Sequence, residues 1–155
     1  MGCRWIAIDV SPYRLGLASD IGAYETLNPI DVDPVEALQD LTGGEGVDMT
    51  LDATGIPEVR NQAVDSAKYW GKVCLVGEGN TTTFDISPQI IHKQLTILGS
   101  WTFSQSGLSE VAQFVVERKS PMDRLITHTF DISQAQEAYD LFVSGDTGKV
   151  ILTID

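Results

Sequence analysis

The chain is poor in cysteine and in positive charge, and it has no long apolar run. Its two cysteines, Cys3 and Cys74, lie far apart, with no CxxC spacing and no histidine pair beside either. This excludes a disulfide framework and reads as reduced thiols, which points to a cytoplasmic protein. Ten basic residues stand against 22 acidic ones, for a formal charge of -12. Such a surface repels phosphate backbones and anionic lipid, so neither nucleic acid nor a membrane is an expected partner. No stretch reaches the roughly 18–20 apolar residues of a membrane span, and the opening residues show no basic-then-apolar leader. A catalytic zinc needs about three converging ligands, and the isolated His92 and His128 offer no such spacing. No metal site is expected.

What is present reads as alternating strands and helices. With 155 residues, 43% of them hydrophobic, the chain can bury one core, which predicts a single domain over 1–155. Apolar runs of strand length alternate with segments of helical period, the pattern of βαβ units and a parallel sheet. Ser11-Pro12 predicts a capped helix stopping at Gly22, and Asp33-Pro34-Val35-Glu36 another, ending at Gly43-Gly44. Strands are expected at Trp5 to Asp9, Tyr24 to Leu27, Val47 to Asp52, Lys72 to Gly77 and Leu95 to Gly99, with a helix from Pro57 to Trp70. Thr82 to Ile86 alternates as an edge strand does, and Ser87-Pro88 starts a short helix. The remainder predicts a helix with Leu108, Val111, Ala112 and Val115 on one face and a strand Ile126 to Phe130. A helix capped by Ser133 with Gln136 in the capping box and a strand Lys149 to Ile154 follow.

The acid that ends the first strand carries the functional signal. In dinucleotide-binding α/β domains an Asp at the end of the second strand accepts hydrogen bonds from the adenosine ribose, about 20 residues after a Gly-rich phosphate turn. Asp9 follows Trp5-Ile6-Ala7-Ile8 and precedes a helix start, but no such turn comes before it. The expectation is an incomplete nucleotide-binding domain lacking its first strand, phosphate turn and first helix.

Six segments carry a resemblance in order along the chain. They are Ile6-Ala7-Ile8-Asp9-Val10-Ser11-Pro12, Gly43-Gly44-Glu45-Gly46-Val47-Asp48, Asp52-Ala53-Thr54-Gly55, Gly71-Lys72-Val73-Cys74-Leu75-Val76-Gly77, Lys93-Gln94-Leu95-Thr96-Ile97-Leu98-Gly99-Ser100-Trp101 and Gly148-Lys149-Val150-Ile151-Leu152. Together they resemble the zinc-type medium-chain alcohol and polyol dehydrogenases. The resemblance implies an α/β, Rossmann-like three-layer parallel sheet, incomplete at its first strand and Gly-rich loop, with the whole chain forming a truncated NAD-binding domain. Met1-Gly2-Cys3 resembles the end of the family's first helix, which implies a start inside a longer frame.

By the same resemblance, Asp9 holds the ribose hydroxyls and Arg14 flanks them. Ala53, Thr54, Gly55, Val76, Gly77, Glu78, Ser100, Trp101 and Thr102 line the cofactor rim at the carboxyl ends of the strands. Lys149 approaches the pyrophosphate. An acid at Asp9 repels the extra phosphate of NADP, which makes NAD the preferred cofactor, bound weakly or vestigially without the phosphate turn. The zinc ligands of the family's other domain have no counterpart here, so no catalytic residue and no zinc are expected on this chain.

Two alternatives belong to other classes. Ile8-Asp9-Val10-Ser11-Pro12 also fits a methyltransferase-like fragment binding S-adenosylmethionine by the same acid. A non-catalytic interaction module is the other, a homodimer paired through the Thr81–Ser87 edge with Phe84 and Ile86 as contacts. In the strand order 3-2-1-4-5-6 the missing strand is central. Two apolar edges would then be left open, and Val150 to Ile154 is expected to fill the slot, in its own chain or swapped into a neighbour.

Overall fold

A computed structural model of the chain describes residues 2–102 and 104–154. In chain order the strands are β1 (Ile6–Ile8), β2 (Glu25–Leu27), β3 (Val47–Asp52), β4 (Ala67–Leu75), β5 (Thr96–Gly99), β6 (Ile126–Asp131) and β7 (Lys149–Thr153). The helices are α1 (Pro12–Asp20), α2 (Pro34–Leu41), α3 (Pro57–Ser66), α4 (Gln105–Arg118) and α5 (Ala135–Ser144). Every strand pairing is parallel, the α/β class read from the alternation. The elements group into two compact units, Met1–Asp31 with Ser104–Asp155, and Val32–Phe103. No helix among the described residues is long and apolar enough to cross a membrane.

In the first unit, β1 pairs with β2, with Ile6 opposite Glu25 and Ile8 opposite Leu27. The crossover is α1. Its cap is Ser11, whose hydroxyl accepts the Arg14 N–H at 3.4 Å, and Pro12 supplies the first helical position. β6 pairs with β7 in a separate sheet, and α5 connects them with Ala138 buried. The predicted Ser133/Gln136 cap is corrected by two residues. Asp131 accepts the Ser133 N–H at 2.8 Å, and Gln134 Oε1 accepts the Asp131 N–H at 3.3 Å. An acid is as good an N-cap acceptor as serine, and it stood at the strand end.

The second unit is the sheet β3-β4-β5, with Asp52 opposite Leu75 and Leu75 opposite Gly99. Val64, Ala67 and Val73 form its buried core, packed by Ala63, Leu75, Phe84, Ile90 and Leu95. Full burial of a valine side chain such as Val64 or Val73 contributes about 1.5–3 kcal/mol. The predicted helix to Trp70 is corrected, because α3 ends at Ser66. Lys93 Nζ donates to the carbonyls of Val64, Asp65 and Ala67 at 3.1, 2.7 and 3.0 Å, capping the helix from outside its own sequence neighbourhood. The chain then enters β4 through an irregular register, with Trp70 in a left-handed conformation (φ 57°) and its N–H on the Lys93 carbonyl.

The predicted edge strand at Thr81–Ser87 is also corrected. Residues 82–85 are irregular and lead into a π-helical stretch, Ile86–Ile91. Phe84 packs into the core instead of facing outward, which produced the alternating pattern without a ladder. The dimer contact assigned to that edge therefore loses its strand and one of its two side chains.

The expected insertion of the terminal strand within its own chain is a further correction. β7 is paired with β6, while β1 is hydrogen-bonded on one side only, to β2, and β3 on one side only, to β4. Among the described residues β7 fills neither edge. On the β3 edge strand Met49 is 60% and Leu51 64% exposed, exposed apolar side chains that favour strand addition, beside Asp48, whose 88% exposed side chain opposes it. Leu51→Lys is expected to reduce concentration-dependent self-association in sedimentation velocity while changing stability by no more than about 0.5 kcal/mol, as for an exposed site. Unchanged association would show that this edge is not the adhesive one.

Candidate functional site

The register aligns the carboxyl ends of β3, β4 and β5. Ala53-Thr54-Gly55, Val76-Gly77-Glu78 and Ser100-Trp101-Thr102 therefore leave the sheet along one rim. The Val76 and Gly77 N–H groups donate to the Asp52 carbonyl at 2.8 and 3.0 Å, and the Ser100 N–H donates to the Leu75 carbonyl at 3.0 Å. These nine predicted positions are brought together. Ala53, Thr54, Val76, Glu78, Ser100, Trp101 and Thr102 stand exposed, whereas Gly55 is buried.

Beneath the rim lies a group that the sequence did not single out. Asp52 is buried, its Oδ1 accepting the Thr54 N–H at 2.8 Å and the Thr54 hydroxyl at 2.6 Å, its Oδ2 the Gly55 N–H at 3.2 Å. Arg60 Nε stands 3.5 Å from the same Oδ2. Burial pushes the Asp52 carboxyl up, but the Thr54 hydroxyl, the two amides and the Arg60 charge together hold it below the ordinary aspartate value.

Arg60 reaches on to the second rim loop. One terminal nitrogen donates to the carbonyls of Gly77 (2.8 Å) and Gly79 (2.9 Å). The other donates to the Asn80 carbonyl (3.2 Å) and the Thr82 hydroxyl (3.0 Å). Asn80 Nδ2 closes the link by donating to the Gly55 carbonyl at 3.1 Å. A strand-end acid followed two residues later by threonine was the readable signal for the first part. Nothing local marks Arg60, whose hydrogen-bond acceptors lie 17 to 22 residues away.

Asp9, Arg14 and Lys149 lie in the first unit. Asp9 leaves β1 with its Oδ1 accepting the Ser11 N–H at 2.9 Å and its Oδ2 3.7 Å from Arg14. Arg14 Nε donates to the Thr147 carbonyl at 3.4 Å. Arg14 and Lys149 share an open cavity of about 440 Å³, otherwise mainly apolar, with Trp5, Leu17, Phe142 and Val150 in its wall. Among the described residues no group of three or more His, Cys, Asp or Glu could hold a metal ion, and His128 Nδ1 lies 2.9 Å from the Thr127 hydroxyl.

A parallel α/β sheet with its rim loops at the strand carboxyl ends is the architecture of Rossmann-like ligand-binding domains. Comparison with known proteins gives the family. The zinc-binding dehydrogenase family model matches residues 1–117, and the chain belongs to that family. It is 33% identical over 150 residues to the zinc-type alcohol dehydrogenase-like protein YphC of Escherichia coli, covering 96% of this chain and 42% of that protein. It is 31% identical over 156 residues to an L-threonine 3-dehydrogenase of Symbiobacterium thermophilum, covering 97% and 44%. Among solved structures, benzyl alcohol dehydrogenase from Acinetobacter calcoaceticus matches with a TM-score of 0.87 at 31% identity, covering 97% of this chain and 42% of that one. The chain thus spans less than half the length of these relatives.

Proposed function

We propose that the chain is the cofactor-binding portion of an NAD(H)-dependent alcohol or polyol dehydrogenase. The observation that carries this reading is Asp9. It ends a parallel strand before a capped helix, one carboxylate oxygen is fixed by the Ser11 amide, and its side chain remains 31% exposed. A carboxylate accepts at two oxygens with room for several donors, so Asp9 can still take vicinal hydroxyls of a ribose while its charge opposes a phosphate on the same sugar. Arg14 sits beside it and Lys149 supplies a second cation in the same unit; in the other unit, taken by itself, the rim from Ala53 to Gly55, Val76 to Glu78 and Ser100 to Thr102 offers backbone groups and exposed side chains. NAD, when bound, supplies the hydride acceptor. Membership of the dehydrogenase family favours NAD over S-adenosylmethionine, and a competition titration separates the two ligands. The relatives' names carry different substrates, L-threonine in one and benzyl alcohol in another, so the alcohol is left open.

The 155 residues contain no Gly-rich phosphate turn ahead of Asp9. That turn with its helix amino-terminus supplies donors to a pyrophosphate. NAD is therefore expected to bind this chain weakly, in the millimolar range by chemical-shift titration, and Asp9→Ala is expected to weaken it further. No zinc-dependent turnover is expected with a panel of primary, secondary and polyol alcohols. Turnover that tracks bound zinc, or NAD binding indifferent to Asp9→Ala, would overturn this reading.

A further inference from the structure

We infer that Arg60 is a positioning residue for the cofactor rim: its guanidinium, seated against Asp52, clamps the loop 77–82 onto the Thr54-Gly55 turn and fixes which way the rim's amide donors point. The inference rests on the NAD reading above. Residues 77–82 have no helix or strand of their own, and two of them, Gly79 (φ 83°) and Asn80 (φ 57°), hold left-handed conformations. Such a segment has little intrinsic preference for one shape, and a non-glycine residue there is strained. Four bonds from Arg60 to Gly77, Gly79, Asn80 and Thr82 hold it, beside the Asn80 side chain on the Gly55 carbonyl and the Gly77 N–H on the Asp52 carbonyl.

Three of those bonds end on carbonyls. No described peptide is cis, and a trans peptide carries its N–H opposite its C=O. Turning the carbonyls of Gly77, Gly79 and Asn80 onto Arg60 therefore turns the N–H groups of Glu78, Asn80 and Thr81 the other way. The guanidinium is suited to this because it is planar and presents five donors in a rigid fork, whereas an ammonium offers three donors from a single point. Asp52 Oδ2 sets a negative charge 3.5 Å from Arg60 Nε, an ion pair without a hydrogen bond, while the same carboxylate holds the opposite turn through the Thr54 and Gly55 amides. Both rim loops are thus referred to one buried carboxylate, and a bound ligand meets a preset surface.

The test is Arg60→Lys in the 155-residue chain, with Thr82→Val as a milder variant that removes one clamp partner and leaves the buried charges alone. Amide hydrogen exchange of Gly55 and Gly77 without ligand is expected to quicken roughly tenfold in Arg60→Lys while Val73 in the core is unchanged. NAD affinity by chemical-shift titration is expected to fall roughly tenfold in Arg60→Lys and about threefold in Thr82→Val. Asp9→Ala should weaken NAD without moving the rim amides. Rim exchange equal to the native chain, or unchanged NAD affinity despite faster rim exchange, would overturn the positioning role and leave the NAD reading standing. If the native chain bound no NAD at all, the functional reading would fall, and the ligand-free exchange would then decide the clamp by itself.

Discussion

Asp52→Ala is expected to lower the free energy of unfolding by about 3–5 kcal/mol, the cost of breaking a buried pair from one side. The Asp52 side chain is fully enclosed and that of Arg60 is 11% exposed. Alanine would leave the guanidinium without its counter-charge and the Thr54 and Gly55 amides without their acceptor, three uncompensated polar groups in one place. Asp52→Asn keeps one oxygen for those amides but turns an amide nitrogen toward a cation, so its cost should lie between native and alanine. Denaturant unfolding followed by circular dichroism measures all three. A loss under about 1 kcal/mol for alanine would mean that water reaches the site and satisfies it.

The same carboxylate gives the protein a defined acid limb. Its folded value lies below its unfolded one. The stabilisation is therefore fully present above the ordinary aspartate value and disappears as the pH falls through the folded value. Acid unfolding curves of the native chain and Asp52→Asn should converge below the ordinary carboxylate range and separate above it.

Where the sequence signalled an element by local chemistry, the structure agrees. β3 runs from Val47 to Asp52, bounded by Gly46 and the turn at Thr54, and α1 starts on Ser11-Pro12. Both depend on residues that cap or break structure by themselves. The failures share a different cause. α3 stops at Ser66 because a lysine 27 residues further on, Lys93, takes its last carbonyls. The alternation at Thr82 to Ile86 arises from Phe84 entering the core. Tertiary contacts override periodicity at such places, and a single chain read in order does not show them. The rim loops were legible as strand exits, but their mutual attachment was not, since Arg60 lies on a helix whose pattern gives no hint that its fork faces a loop.

The second large effect is expected at Gly77, where the two rim loops touch. A Cβ added there would lie 2.1 Å from the Gly55 nitrogen and 2.6 Å from both the carbonyl carbon and the nitrogen of Thr54. All three are backbone atoms, held in place by Asp52, so no side-chain rotation can relieve the overlap. The Gly77 backbone itself is not left-handed, and the cost of alanine is therefore contact alone. Separating the loops enough to admit a methyl group would stretch the bonds from Asn80 to Gly55 and from Arg60 to Gly77. Gly77→Ala is expected to destabilise by about 3 kcal/mol or more, the upper range of overpacking. Gly79→Ala is the matched control. It has nothing within 4 Å of its added Cβ but a φ of 83°, so its cost is conformational, about 1 kcal/mol. Thermal unfolding should rank native, Gly79→Ala and Gly77→Ala in that order, with the larger step between the last two. Equal melting temperatures for the two variants would mean that the turn at Thr54-Gly55 and the loop at Gly77 are not in contact, and would remove the basis for a rim fixed by Asp52 and Arg60.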